Sequence, residues 1–186
     1  LISIVGTRAI SLQGQKDASS LTQALCQSGY VCVSGMALGV DAMVHRTALG
    51  CPGGKTIAIL PAGFGTCYPR SHTSLMAELG QSHLLLSEYL PHIGIKKHHF
   101  IMRNRLVAGI APALVVVEAA LKSGSLITAN FALQYNREIY VCPGHLSETN
   151  SAGCNQLIEA GANAIYSLPD FLGDLETLYR LQAIKN

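Results

Sequence analysis

Short apolar runs rich in β-branched residues return along this chain, each followed by a longer amphipathic stretch. That alternation restricts the fold more than any other feature. The runs fall at Ile2–Gly6, Tyr30–Ser34, Thr56–Leu60, Leu84–Ser87, Leu114–Glu118, Ile139–Cys142 and Ala164–Tyr166. They lack a clean in–out alternation, the pattern of strands buried on both faces of a parallel sheet. Helical spacing fills the intervals at about Leu12–Ser28, Gly39–Leu49, Thr73–Leu79, Asn104–Ile110, Ser125–Tyr135 and Asn155–Ala160, with a last helix over about Asp170–Gln182. Strand–helix–strand repetition predicts an α/β fold: a doubly wound, mostly parallel sheet with helices on both faces. Right-handed crossovers then bring the strand C-termini to one edge, where a ligand crevice opens.

With 186 residues, 49% of them apolar and 13% charged, the chain can bury one sizeable core and is expected to form one domain over residues 1–186. The formal net charge of +2 excludes a uniformly basic coat. Any grip on an anion must come from a local cluster or from backbone N–H groups. Six scattered cysteines without a C-x-x-C pair read as free thiols of a reducing cytosol, Cys32 and Cys142 lying inside strand-like runs. No apolar run approaches about 18 residues and no leader pattern is present, so neither a membrane span nor a signal peptide is expected. The first strand begins at the very start, as in a core cut from a longer protein.

Glycine, serine and threonine collect just after the strands: Gly6–Arg8, Ser34–Ala42, Pro61–Thr66, Ser87–Tyr89, Glu118–Ala129 and Pro143–His145. Such loops let a backbone approach a ligand and offer N–H groups to an anion. Ser123-Gly124-Ser125 precedes a helix that one serine can cap. Arg8 should stand over the crevice. The long irregular stretch Tyr89–Met102 holds Lys96, Lys97 and Phe100, with Arg103 and Arg105 just beyond. Cations beside an aromatic face suit a single strand of nucleic acid, phosphates on the one and a base on the other. His98 and His99 lack a second ligand pair at metal spacing, and no cofactor fingerprint is present.

Several patterns fail. Gly50–Thr56 has Leu49 where a P-loop needs glycine, and it leads into a strand. Pro61–Pro69 resembles the PGGxGTxxE signature of "lonely guy" phosphoribohydrolases, but Pro69 replaces the glutamate that N-glycosidic cleavage needs. Asp41 and His45 at i,i+4 are read as orienting the preceding glycine-rich loop rather than as an acid/base pair. Glu118 is read as a partner for Arg103 or Arg105. A nucleotide-binding module and a phosphoribohydrolase-like enzyme on the same scaffold stay open as alternatives.

The segments IVGTR, SGMALGVDAMVHRTAL, GKTIAILPAGFGTCYP, LLLSEY, FIMRNRLVAGIA, VVVEAALKSGSLITANFAL, REIYVCPG and GCNQLIEAGA stand in the order of the DNA-processing protein A family (DprA, also called Smf), which the chain resembles from about residue 2 to 168. The resemblance implies an extended Rossmann-like domain that binds single-stranded DNA without hydrolysing it. It further implies protection of incoming strands in natural transformation, help in loading the recombinase RecA, pairing as a homodimer, and a cytoplasmic location without cofactor or metal. Carried over by position, the DNA site comprises Gly6, Thr7 and Arg8, Ser34 and Gly35, Lys97 and Phe100, Arg103, Asn104 and Arg105, and Ser123, Gly124, Ser125 and Thr128. Leu38 stands where the family usually has arginine or lysine, Cys154 where threonine is usual, and Met102 where proline is common. The small helical domain and the winged helix that flank this core in many members are expected to be absent.

Overall fold

The computed structural model describes residues 1–185. Seven strands, β1 (Ile2–Val5), β2 (Val31–Ser34), β3 (Lys55–Ile59), β4 (Leu84–Leu86), β5 (Ala113–Val116), β6 (Glu138–Val141) and β7 (Asn163–Ala164), form one sheet. Seven helices alternate with them: α1 (Leu12–Gln27), α2 (Val40–Gly50), α3 (Thr73–Ser82), α4 (Lys97–Ile110), α5 (Gly124–Gln134), α6 (Ala152–Glu159) and α7 (Leu168–Lys185). The sheet order is β4-β3-β2-β1-β5-β6-β7, and every pairing is parallel. The doubly wound α/β fold is therefore present. Its order reverses between β1 and β5, where the chain crosses back from the β4 edge through α4.

Alternation along the central strands builds the two layers. Ile2 and Ile4 of β1, with Cys32, Ala113 and Val115, pack under α1, α2 and α7. Val5, Val33, Leu114 and Val116 face the other way, against Val107 of α4, Ala129 and Ala132 of α5 and Cys154 of α6. All four residues of β1 and of β5 are buried. Fully burying a side chain such as Ile2 or Ile4 stabilises the fold by about 1.5–3 kcal/mol. Leu75 and Leu79 of α3 close a smaller cluster with Ala42, Ala58 and Leu60. All six cysteines are free; Cys26, Cys32 and Cys154 are buried, while Cys142 keeps part of its surface exposed. Among the described residues no helix is long and apolar enough to cross a membrane.

Most elements stand within three residues of their sequence-derived ends, but α4 does not. It starts at Lys97, not near Asn104, so the irregular connection after β4 stops at Lys96. The buried face of its first turns carries His99 and Arg103 ahead of Val107. Polar residues at those positions hide the helical period. His99 stacks on Tyr89 with ring centroids 4.1 Å apart, and its Nδ1 lies 3.1 Å from the Pro61 carbonyl oxygen.

Glu118 is not an arginine partner. It accepts from the Ser11 N–H at 3.0 Å and from the Ser11 hydroxyl. Ser11 in turn accepts from the Gly14 N–H at 2.9 Å, capping α1. The carboxylate at the end of β5 thus fixes the start of α1, which the sequence could not indicate because the two lie 107 residues apart.

His45 is completely buried, its Nδ1 2.8 Å from the Thr56 hydroxyl. Burial, with smaller contributions from Arg103, His72 and His83, pushes its pKa down to about 3. The unfolded chain therefore takes up a proton below about pH 6.5 that the folded one refuses. The contribution of His45 is complete above that pH and fades as pH falls toward 3. We expect the wild type to lose about 2 kcal/mol between pH 6.5 and 5 through this group. Urea unfolding of His45→Gln at the two pH values should lack that loss.

Candidate nucleic-acid interface

At the switch between β1 and β5 two loops face each other. The Gly6–Arg8 turn is pinned on one side by its Thr7 N–H, which donates to the Glu118 carbonyl at 2.7 Å. On the other side the Thr7 carbonyl accepts from the Val40 N–H at 3.1 Å. Gly39 makes that approach possible: its φ is +76°, and a Cβ there would stand 2.2 Å from the Thr7 oxygen. The resulting crevice of about 410 Å³ is lined by Gly6, Thr7, Arg8, Asn104, Ser123, Gly124, Ser125 and Thr128, with Val5, Ala37, Asp41 and Arg103 at its wall and floor.

The serines do not behave as the sequence suggested. Ser123 precedes α5 in extended backbone but makes no side-chain cap bond; its hydroxyl lies 2.9 Å from that of Ser125. The first-turn N–H groups of a helix have no intrahelical acceptors, and here no capping side chain takes them. That of Leu126 donates to the Ser123 carbonyl at 3.2 Å, and those of Gly124 and Ser125 remain available to an anion. Asn104 ties the rim together, its amide donating to the Gly124 carbonyl at 3.4 Å.

Arg8 is exposed and holds its guanidinium carbon 5.4 Å from the centre of the Phe100 ring. Phe100 is half-buried and meets Tyr68 in a T-shaped contact, centroids 5.2 Å apart at 68°. Lys97 is exposed one turn before Phe100, on the same face of α4. Donors for phosphate and an aromatic surface therefore meet on the rim.

Three expected contact residues lie behind that rim. Ser34 is wholly buried and donates to the Ile4 carbonyl at 2.7 Å. Arg103 is 4% exposed; its Nη1 donates to the Gly35 carbonyl and, at 2.8 Å, to the Ile59 carbonyl. Gly35 is needed for that closeness, since a Cβ would fall 1.9 Å from Nη1. Ser34 and Gly35 are therefore parts of the frame, and Arg103 holds the C-terminal ends of β2 and β3. Arg105 points elsewhere. It pairs with Glu88 and borders a separate groove with Leu86, Gly109 and Tyr135.

Asp41 was legible only as a loop anchor, and it does accept from the Ala37 N–H at 3.1 Å. It also lines the crevice. Burial raises its carboxyl above the usual range while the Arg103 charge opposes the rise. His45 turns away to Thr56, so the two form no acid/base pair. Tyr68, against Phe100, was not among the residues the sequence singled out. It lies in the segment read as a broken hydrolase signature and as one of the family-like stretches, and no spacing in the sequence sets it beside Phe100. Among the described residues no group of three His, Cys, Asp or Glu side chains is placed to hold a metal.

Comparison with known proteins shows the family. Residues 1–176 match the family described as DNA recombination-mediator protein A. The DNA processing protein DprA of Bacillus subtilis is 40% identical over 174 residues, covering 94% of this chain and 58% of its own length. The solved structure of DNA processing protein A from Streptococcus pneumoniae superposes with a TM-score of 0.86 at 38% identity, over 92% of this chain and 60% of that one. That of Helicobacter pylori, solved for its single-stranded DNA binding mode, gives 0.86 at 35%, over 95% and 80%. The chain thus spans about three fifths of the B. subtilis and S. pneumoniae proteins.

The frame and the rim should separate in unfolding measurements. Arg103→Met leaves two carbonyls and the buried Asp41 without a cation and should cost about 3–5 kcal/mol. Arg105→Met removes a partly exposed pair and should cost at most about 1 kcal/mol. Equal losses in urea denaturation would contradict the assignment of Arg103 to the frame.

Proposed function

The chain belongs to the DNA recombination-mediator protein A family of DNA processing proteins, and we propose that it binds single-stranded DNA along the β1–β5 rim without cleaving it. The observation that carries this reading is Arg8 over Phe100 beside the crevice of Gly6, Thr7 and Ser123–Ser125. A polyanion with unpaired bases suits both halves: phosphates meet the free N–H groups, the hydroxyls and Arg8, and a base meets Phe100. The single-stranded DNA binding mode of the H. pylori relative supports the same ligand.

In this reading Gly6, Thr7, Arg8, Lys97, Phe100, Asn104, Ser123, Gly124, Ser125 and Thr128 face the strand. Ser34, Gly35 and Arg103 act from behind by fixing the rim, and Arg105 contributes only general charge. Pro69 leaves the hydrolase signature without its carboxylate, and Asp41, held by the Ala37 N–H, is placed to anchor a loop. Both points favour binding over chemistry. We assign to the same reading a single domain acting in the cytoplasm, pairing as a homodimer and passing the strand to RecA; the family's description as a recombination mediator supports the last step.

Titration of labelled oligo-dT tests the reading. Neutralising about four phosphates gives a salt slope near −2.8, about a fiftyfold loss between 50 and 200 mM. Phe100→Ala should weaken binding by about 1–3 kcal/mol. Arg8→Ala should weaken it and lower the salt slope by about 0.7. Indifference of both variants overturns the site, and saturation by a mononucleotide with no gain on lengthening would favour a nucleotide-binding module.

A further inference from the structure

We propose that Tyr68 is a second base platform inclined to Phe100, and that the pair selects an unstacked, pyrimidine-rich single strand. The inference rests on the reading that DNA lies along Phe100. Tyr68 stays 44% exposed although its ring packs in a T-shaped contact with Phe100. Its hydroxyl has no hydrogen-bond partner among the described residues, so no internal polar contact explains its position. A single exposed aromatic is ordinary. One that continues a run of Arg8 and Phe100 at a crevice rim is placed for a ligand.

The angle between the rings carries the argument. Neighbouring bases in a duplex, or in a helically stacked single strand, lie parallel. They cannot both lie flat on rings inclined at 68° with centres 5.2 Å apart. A strand that uses both platforms must roll one base away from the next and give up their mutual stacking. Adenines lose more by this than thymines do, so the site should favour pyrimidine tracts through stacking strength and backbone flexibility, without reading base edges. A duplex is excluded on the same ground. The exposed guanidinium of Arg8, 5.4 Å from the centre of the Phe100 ring, is close enough to take a phosphate of the bent segment.

The test compares oligo-dT and oligo-dA by anisotropy for the wild type, Tyr68→Phe, Tyr68→Leu and Phe100→Ala. It adds a thymine strand carrying one 2-aminopurine, whose fluorescence falls when the base stacks on an aromatic ring. We expect the wild type and Tyr68→Phe to prefer dT and to quench the probe. Tyr68→Leu should lose about 5- to 150-fold on dT, less on dA, and part of the quenching. Equal losses on the two oligomers, or unchanged affinity and quenching in Tyr68→Leu while Phe100→Ala is impaired, would overturn the role of Tyr68 and leave the crevice standing. Failure of the wild type to bind any oligomer would remove both.

Discussion

One buried guanidinium sets the geometry on which the site depends. Arg103 reaches from α4 beneath the sheet edge and holds the carbonyls of Gly35 and Ile59, at the ends of β2 and β3. A cation without water needs such acceptors and a counter-charge nearby, which Asp41 supplies. The same contacts fix the start of α4, and so place Phe100 one turn earlier on that helix. They also fix the loop from Met36 to Gly39, against which the Gly6–Arg8 turn rests. The rim is precise because a charge lies behind it.

In the proposed reading, this arrangement lets a chain of net charge +2 offer a polyanion a site. The crevice gathers backbone N–H groups and hydroxyls at a sheet edge and needs few side-chain cations. Arg8 and Lys97 stand at its border, while Arg103 and Arg105 are occupied by the protein itself. Counting basic residues along the sequence overstates what reaches the surface.

The architecture was legible because strands buried on both faces have an unmistakable composition: the runs around Ile2–Val5 and Ala113–Val116 admit almost no polar residue. Of the small residues collected after the strands, Gly6, Thr7, Ser123, Gly124, Ser125 and Thr128 line one crevice. What the sequence concealed were long-range polar contacts. Glu118 looked free for an arginine and instead holds Ser11; Ser34 looked like a rim donor and instead bonds within the sheet. The early start of α4 was hidden because histidine and arginine occupy its buried face. Tyr68 escaped for a related reason, since only the folded loop brings it to Phe100.

The central claim is that a single strand rests on the β1–β5 rim, touching main-chain amides as well as side chains. Backbone resonances followed by NMR while oligo-dT is added report on those amides directly. The account predicts that the largest shifts fall on Gly6, Gly124 and Ser125, with Phe100 and Tyr68 moving in step. Shifts gathered instead around Arg105 and Tyr135, with the Gly6–Arg8 turn unmoved, would contradict it.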